Sequence, residues 1–119
     1  MIVEDDLDIL LLYKDFFRRR GHHVVASSAT ADDMLSDYDT YRPDVVIIDY
    51  RLPGKKDGLQ AIRELLTKNA IIPILLISAF EDIKAEISRD DFFKDKKVRV
   101  LIKPIKLAQL EENLLDAAR

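Results

Sequence analysis

No cysteine occurs among the 119 residues, which excludes disulfides, thiolate nucleophiles and Cys-based zinc sites. Glycine appears only 3 times and proline 4 times, and no segment is low in complexity, so the composition argues against disorder. No apolar run reaches the roughly 18 residues that a bilayer crossing needs. The N-terminus lacks the basic-then-apolar layout of a secretory signal, so a cytoplasmic location is expected. A positive excess is missing too. With 19 Lys and Arg against 22 Asp and Glu, the net charge is −3, whereas nucleic-acid-binding domains usually carry a strong surplus of positive charge. Neither a nucleic acid nor a membrane is expected as a direct partner.

What remains is the make-up of a soluble globular chain, 48% apolar and 34% charged, long enough for one core but not two. Short apolar runs alternate with amphipathic stretches, the pattern of repeated β–α units around a parallel sheet. Strands are expected at Met1–Val3, His23–Ala26, Val45–Ile48, Ile74–Ile77 and Val98–Ile102. Helices are expected near Asp8–Arg20, Ala31–Tyr41, Gly58–Lys68, Asp82–Phe92 and Lys106–Ala118. Gly21 supplies a left-handed residue after the first helix, and all four prolines fall in connections. The third strand is apolar without alternation, so helices should cover both of its faces, giving a doubly wound sheet. In such sheets chemistry gathers beyond the carboxyl ends of the strands.

Polar residues stand at those ends. Glu4-Asp5-Asp6 follows the first strand, Asp49 the third, Ser78 the fourth and Lys103-Pro104 the fifth. Each has an ordinary explanation when taken alone. Asp5 or Asp6 would cap a helix, Asp49 would form a turn, Ser78 would cap the fourth helix and Lys103 would be a solvated charge. Coincidence at a single sheet edge favours a joint role. Clustered carboxylates repel one another unless a cation sits among them. Mg²⁺ takes hard oxygen ligands and needs only one or two carboxylates, sharing its shell with water and phosphate. A carboxylate can also act as a nucleophile and carry a phosphoryl group. The negative charge spread over that group then calls for nearby donors, which Lys103 and Ser78 would supply.

The ordered set "IVEDD", "VVIIDYRLPG", "ILLISA" and "IKP" resembles the receiver (CheY-like) domain of two-component response regulators over essentially the whole chain. The resemblance implies a (βα)5 flavodoxin-like three-layer sandwich with strand order 2-1-3-4-5. It implies that Asp49 is the phospho-acceptor, and that Glu4, Asp5, Asp49 and the backbone carbonyl of Arg51 surround Mg²⁺, with Mn²⁺ an alternative. It also implies that Ser78 and Lys103 contact the phosphoryl group. Asp6 reads better as a helix cap. The expected donor is a histidine kinase or phosphotransfer protein, and the expected output is a change in protein contacts by a monomer or a phosphorylation-linked homodimer. Such a domain acts on itself and is a signalling module rather than an enzyme. A single receiver domain over residues 1–119 is expected, with no output domain in this chain.

Three other kinds of protein share parts of this pattern. A haloacid-dehalogenase-type phosphatase needs a second carboxylate two residues after the nucleophile, and Asp49-Tyr50-Arg51 lacks one. A flavodoxin-type FMN carrier needs a phosphate-binding loop where Glu4-Asp5-Asp6 would repel phosphate. A receiver that only binds partners would not need the full set of site residues.

Several features depart from the family pattern. The loop "PGKKDG" is longer than usual. So is the span from Ser78 to Lys103, which carries Asp90-Asp91-Phe92-Phe93 and Lys94-Asp95-Lys96-Lys97. Val100 occupies the position where many receivers carry a switching aromatic. On the first helix, Ile9, Leu12, Tyr13, Phe16 and Phe17 are assigned to the core. Leu7, Leu10, Leu11 and Lys14 are assigned to a docking face for a kinase helix. His22 and His23 are expected to be exposed and structural.

Overall fold

The computed structural model describes residues 1–119. Its elements run β1 (Ile2–Val3), α1 (Leu7–Arg19), β2 (Ser27–Ser28), α2 (Met34–Tyr41), β3 (Val46–Asp49), α3 (Gly58–Lys68), β4 (Ile74–Ser78), α4 (Asp82–Arg89), a 3-10 turn at Asp91–Phe93, β5 (Val98–Ile102) and α5 (Leu107–Ala117). All strand pairings are parallel, in the order β2-β1-β3-β4-β5. No helix is long and apolar enough to cross a membrane.

Successive strand residues point to opposite faces, and here both faces are covered. On one side Val3, Val46, Ile48, Ile74 and Leu76 pack with Met34 and Tyr38 of α2, Leu59, Ile62 and Leu65 of α3, and Ile83 of α4. On the other side Ile2, Ile47, Leu75 and Ile77 pack with Leu10, Tyr13 and Phe17 of α1 and Leu110 of α5. This double burial explains why β3 reads as an unbroken apolar run. The result is the expected three-layer sandwich.

Local chemistry sets the ends of the elements. The Asp6 carboxylate accepts from the backbone N–H groups of Asp8 and Ile9, which caps α1. Past the other end of α1, Gly21 adopts a φ of +87°. Asp57 and Gln60 form a reciprocal capping box on α3.

Four expectations need correction. The second strand is not His23–Ala26 but Ser27–Ser28. As an edge strand it pairs only with β1, so its extent follows from Ile2 and Val3 rather than from the apolar run before it. The second helix begins at Met34 rather than Ala31, whose carbonyl instead closes a turn onto the Met34 N–H. The fourth helix stops at Arg89, because Asp90 is extended (φ −96°, ψ 114°) and its side chain caps the following 3-10 turn. On α1, Leu10 is 7% exposed and belongs to the core, whereas Leu12 is 53% exposed. Leu10 and Phe17, seven residues apart, differ by only about 20° around a helix and share its inner stripe, while Leu12 lies on the far side.

Candidate functional site

The carboxyl ends of β1, β3, β4 and β5 meet at one edge of the sheet, and the parallel register brings their terminal residues level. Asp49 pairs with Ile77, and Ser78 with Ile102. The Lys103 N–H donates to the Ser78 carbonyl at 2.8 Å, holding the start of the Lys103-Pro104 segment against the end of β4. The peptide bond between Lys103 and Pro104 is cis.

Glu4, Asp5 and Asp49 each place a carboxylate oxygen within 4.8 Å of the other two, a geometry able to hold a metal ion. Glu4 and Asp49 are buried and Asp5 is exposed. The Lys103 ammonium lies 3.0 Å from Asp49 Oδ1 and 3.9 Å from Glu4 Oε1. Glu4 Oε2 also accepts from the Asp6 N–H at 3.4 Å.

The electrostatics follow from this crowding. Burial, reinforced by the Asp49 charge, pushes the Glu4 carboxyl from its ordinary 4.5 up to about 7, against the opposing pull of Lys103. Asp49 is likewise raised, chiefly by burial, with Lys103 partly offsetting it. Burial pulls the Lys103 ammonium down, but its hydrogen bond to Asp49 and the charges of Asp49 and Glu4 outweigh that and hold it above the usual lysine value. Two buried acids and an exposed third, faced by a single lysine, are a natural place for a divalent cation. All-oxygen donors suit a hard ion such as Mg²⁺ or Mn²⁺.

Ser78 sits at the same edge, but its hydroxyl is turned into its own loop. Oγ accepts from the Phe80 N–H at 2.9 Å and donates to the Phe80 carbonyl at 3.3 Å. The Arg51 guanidinium stacks 4.6 Å from the centre of the Phe80 ring. Arg51 also lines an open cleft with Asp5, Tyr50, Leu52 and Asp57. The structure therefore brings together Glu4, Asp5, Asp49 and Lys103. Ser78 and Arg51 lie beside them without joining that cluster through their side chains.

Sequence reasoning missed two residues here. A Cβ on Gly58 would lie 2.3 Å from the Asp49 carbonyl oxygen, so the start of α3 presses directly on the backbone of Asp49. The clue was a glycine in the first turn of a helix, where it is otherwise unfavourable. Tyr13, buried on α1, is raised by that burial and by the Glu4 charge, which puts its phenol within the field of the cluster. Nothing in the helical pattern separated it from its apolar neighbours.

On the docking face, Leu7 and Leu11 are 63% and 62% exposed and Lys14 is half-buried, whereas Leu10 does not belong to that face. Away from the site, His22 does have a carboxylate partner. Its Nε2 lies 2.9 Å from Glu111, which Arg20 also grips through two nitrogens. Glu111 lies 91 residues from Arg20 and 89 from His22 in sequence, too far for spacing to reveal this.

Fold and site together define a doubly wound α/β protein with acids and a lysine gathered at its strand ends. Residues 1–115 match the family described as response regulator receiver domain, and the chain belongs to it. The chain is similar to the alkaline phosphatase synthesis transcriptional regulatory protein PhoP of Bacillus subtilis, at 26% identity over 88% of this chain and 47% of that protein. It is also similar to the chemotaxis protein CheY of Listeria monocytogenes, at 24% identity over 100% of this chain and 97% of that one. The chain thus spans about half the length of PhoP but nearly all of CheY. Among solved structures, a Francisella response regulator 1452 receiver domain superimposes with a TM-score of 0.83 at 22% identity, covering 98% of this chain and 93% of that one. Phosphoryl acceptance is the general function of the family, which works in two-component signalling with histidine kinases or phosphotransfer proteins.

Proposed function

We propose that Asp49 accepts a phosphoryl group from a phosphohistidine donor, on a histidine kinase or a phosphotransfer protein, in a reaction that depends on Mg²⁺ or Mn²⁺. The observation that carries this reading is the convergence of Glu4, Asp5 and Asp49 within 4.8 Å, with Lys103 3.0 Å from Asp49. Glu4, Asp5, Asp49 and the Arg51 backbone carbonyl would hold the ion, which when bound offsets the negative charge of carboxylates and phosphate together.

An oxygen of Asp49 attacks phosphorus as the phosphorus–nitrogen bond of the donor breaks, and the imidazole leaves with the bonding electron pair. An ionised carboxylate is already a competent nucleophile, so no general base is needed. Lys103 exchanges its contact with Asp49 for one with a phosphoryl oxygen. The Ser78 hydroxyl leaves the Phe80 carbonyl to donate to another. Hydrolysis later reverses the attachment: water attacks phosphorus, the bond to Asp49 breaks, and inorganic phosphate departs. Because the domain modifies only itself, it serves as a cytoplasmic signalling module rather than an enzyme with an external substrate. Its output is a change in protein contacts, as a monomer or a phosphorylation-linked homodimer.

Incubation with acetyl phosphate and Mg²⁺ should add one phosphoryl mass to the intact protein. Asp49→Ala, or EDTA, should prevent it. Unchanged labelling of Asp49→Ala would refute the assignment. Docking of the donor is assigned to Leu7, Leu11 and Lys14. Charge substitutions at Leu7 and Leu11 should slow transfer from a kinase yet spare labelling by acetyl phosphate, and equal loss with both donors would refute that surface.

A further inference from the structure

β5 is the last strand of the sheet and pairs only with β4. Its odd-numbered residues bond across that seam. The Lys97 carbonyl accepts from the Ile74 N–H, and the Lys103 N–H donates to the Ser78 carbonyl. Neighbouring residues of a strand turn their peptide groups to opposite sides, so those of Val98 and Val100 face away from β4. A free edge of this kind is a template for another chain unless something guards it.

The start of that edge is strongly basic. Lys96, Lys97, Val98 and Arg99 line a cleft of about 360 Å³ together with Asp116 and Arg119. Four cations meet one carboxylate there, and Arg99 and Arg119 already share it. Lys96 is engaged elsewhere, its ammonium 2.8 Å from Asp95 and 5.3 Å from the centre of the Phe92 ring. Lys97 and nearby Lys94 are exposed and enter no ion pair. In a chain of net charge −3 this local surplus is the exception. Lysine along an edge repels a second copy of the same edge. The same charges attract an acidic strand.

We propose that the free edge of β5 receives an acidic, extended segment of a partner protein as a sixth strand. The segment exchanges backbone hydrogen bonds with Val98 and Val100, and its carboxylates meet Lys97, Arg99 and Arg119. Lys97 and Arg99 project from one face of the strand and Val98 and Val100 from the other. A fitting segment therefore alternates acidic with apolar residues. Lys97 and Arg99 also stand two residues apart, about 7 Å, the repeat at which an extended chain presents successive side chains of one face. β5 runs for five residues from this cleft to the Asp49 edge, about 17 Å, so no atom of the acceptor site takes part.

Fluorescence anisotropy tests this on the unmodified protein, with a dye-labelled, end-blocked peptide of alternating Glu and Val as the probe. Binding should saturate and should weaken at least about tenfold in Lys97→Glu. Lys97→Gln, which removes the charge without reversing it, should lose less. Lys97 is exposed, so both variants should keep the wild-type melting curve. A probe N-methylated at every residue keeps its charges but cannot donate to a strand edge, and it should also bind at least about tenfold more weakly. No saturable binding, undiminished binding by Lys97→Glu, or equal binding of the methylated probe overturns the proposal. A single-stranded oligonucleotide that binds as tightly as the peptide overturns it too. Asp49→Ala should bind the probe as the wild type does; loss there would make the surface part of the acceptor site and overturn its independence.

Discussion

Glu4 gives the sharpest test of the site. Its carboxyl rises from 4.5 to about 7 on folding because it is buried beside Asp49. A raised carboxyl pKa leaves stability intact below the unfolded value and removes it as pH climbs through the folded one. The Glu4 contribution is read as wild type against Glu4→Gln, because the buried Met1 amine, lowered to about 6, acts in the opposite direction. Each pKa unit is worth about 1.4 kcal/mol, so that contribution should fall by about 3 kcal/mol as pH rises from below 4.5 to above 7 in the cation-free protein. For a domain of this size that is a fall in Tm of about 12 °C. Asp49 is shifted the same way, but its loss begins at lower pH because its ordinary value is lower. Thermal melts by circular dichroism in EDTA, from about pH 4 to about pH 8.5, measure the effect. In Glu4→Gln the amide oxygen can still accept from the Asp6 N–H, and the Glu4 part of the pH dependence should vanish. Added Mg²⁺ should restore the wild type at alkaline pH by mass action. Parallel pH profiles for wild type and Glu4→Gln would refute the reasoning.

Other outcomes follow from the same structure. Gly58→Ala should cost about 1–3 kcal/mol, because the new methyl collides with the Asp49 backbone, and should slow acetyl phosphate labelling as well. Denaturant titration and intact mass read the two effects. Leu10→Ala should cost about 2–4 kcal/mol by urea titration, whereas Leu11→Ala should stay within about 0.5 kcal/mol. The reverse order would restore Leu10 to the surface. Arg20 and His22 hold the Glu111 carboxyl below its ordinary value. Their contribution is present above the unfolded carboxylate value and disappears as pH falls through the folded one. Glu111→Gln should therefore flatten the acid limb of the stability curve, measured by denaturant titration.

The doubly wound parallel sheet and the meeting of Glu4, Asp5, Asp49 and Lys103 were legible because apolar runs mark the ends of β1, β3, β4 and β5, whereas the order 2-1-3-4-5 rested on the resemblance to receiver domains. What was not legible depended on partners distant in sequence. Ser27–Ser28 is a strand only because β1 lies beside it. Leu10, Leu11 and Leu12 stand consecutively, about 100° apart around the helix, so apolarity alone could not choose the inner one. The Glu111 cluster joins α5 to the end of α1, a long-range match between single residues that leaves no periodic trace. In Asp90-Asp91-Phe92-Phe93 the helical pattern ran on across a break that Asp90's own cap imposes.

The double grip of Phe80 on the Ser78 hydroxyl gives the resting domain a self-contained character. With Ser78 turned inward and Lys103 bound to Asp49, neither donor is idle before a phosphoryl group arrives. On the proposed acceptor role of Asp49, incoming phosphoryl oxygens would compete for hydrogen bonds that already have acceptors, so the unmodified state is settled in its own right. On that proposal, occupancy of the site and release of the Phe80 carbonyl in the loop after β4 would be a single event, tying the message to the chemistry.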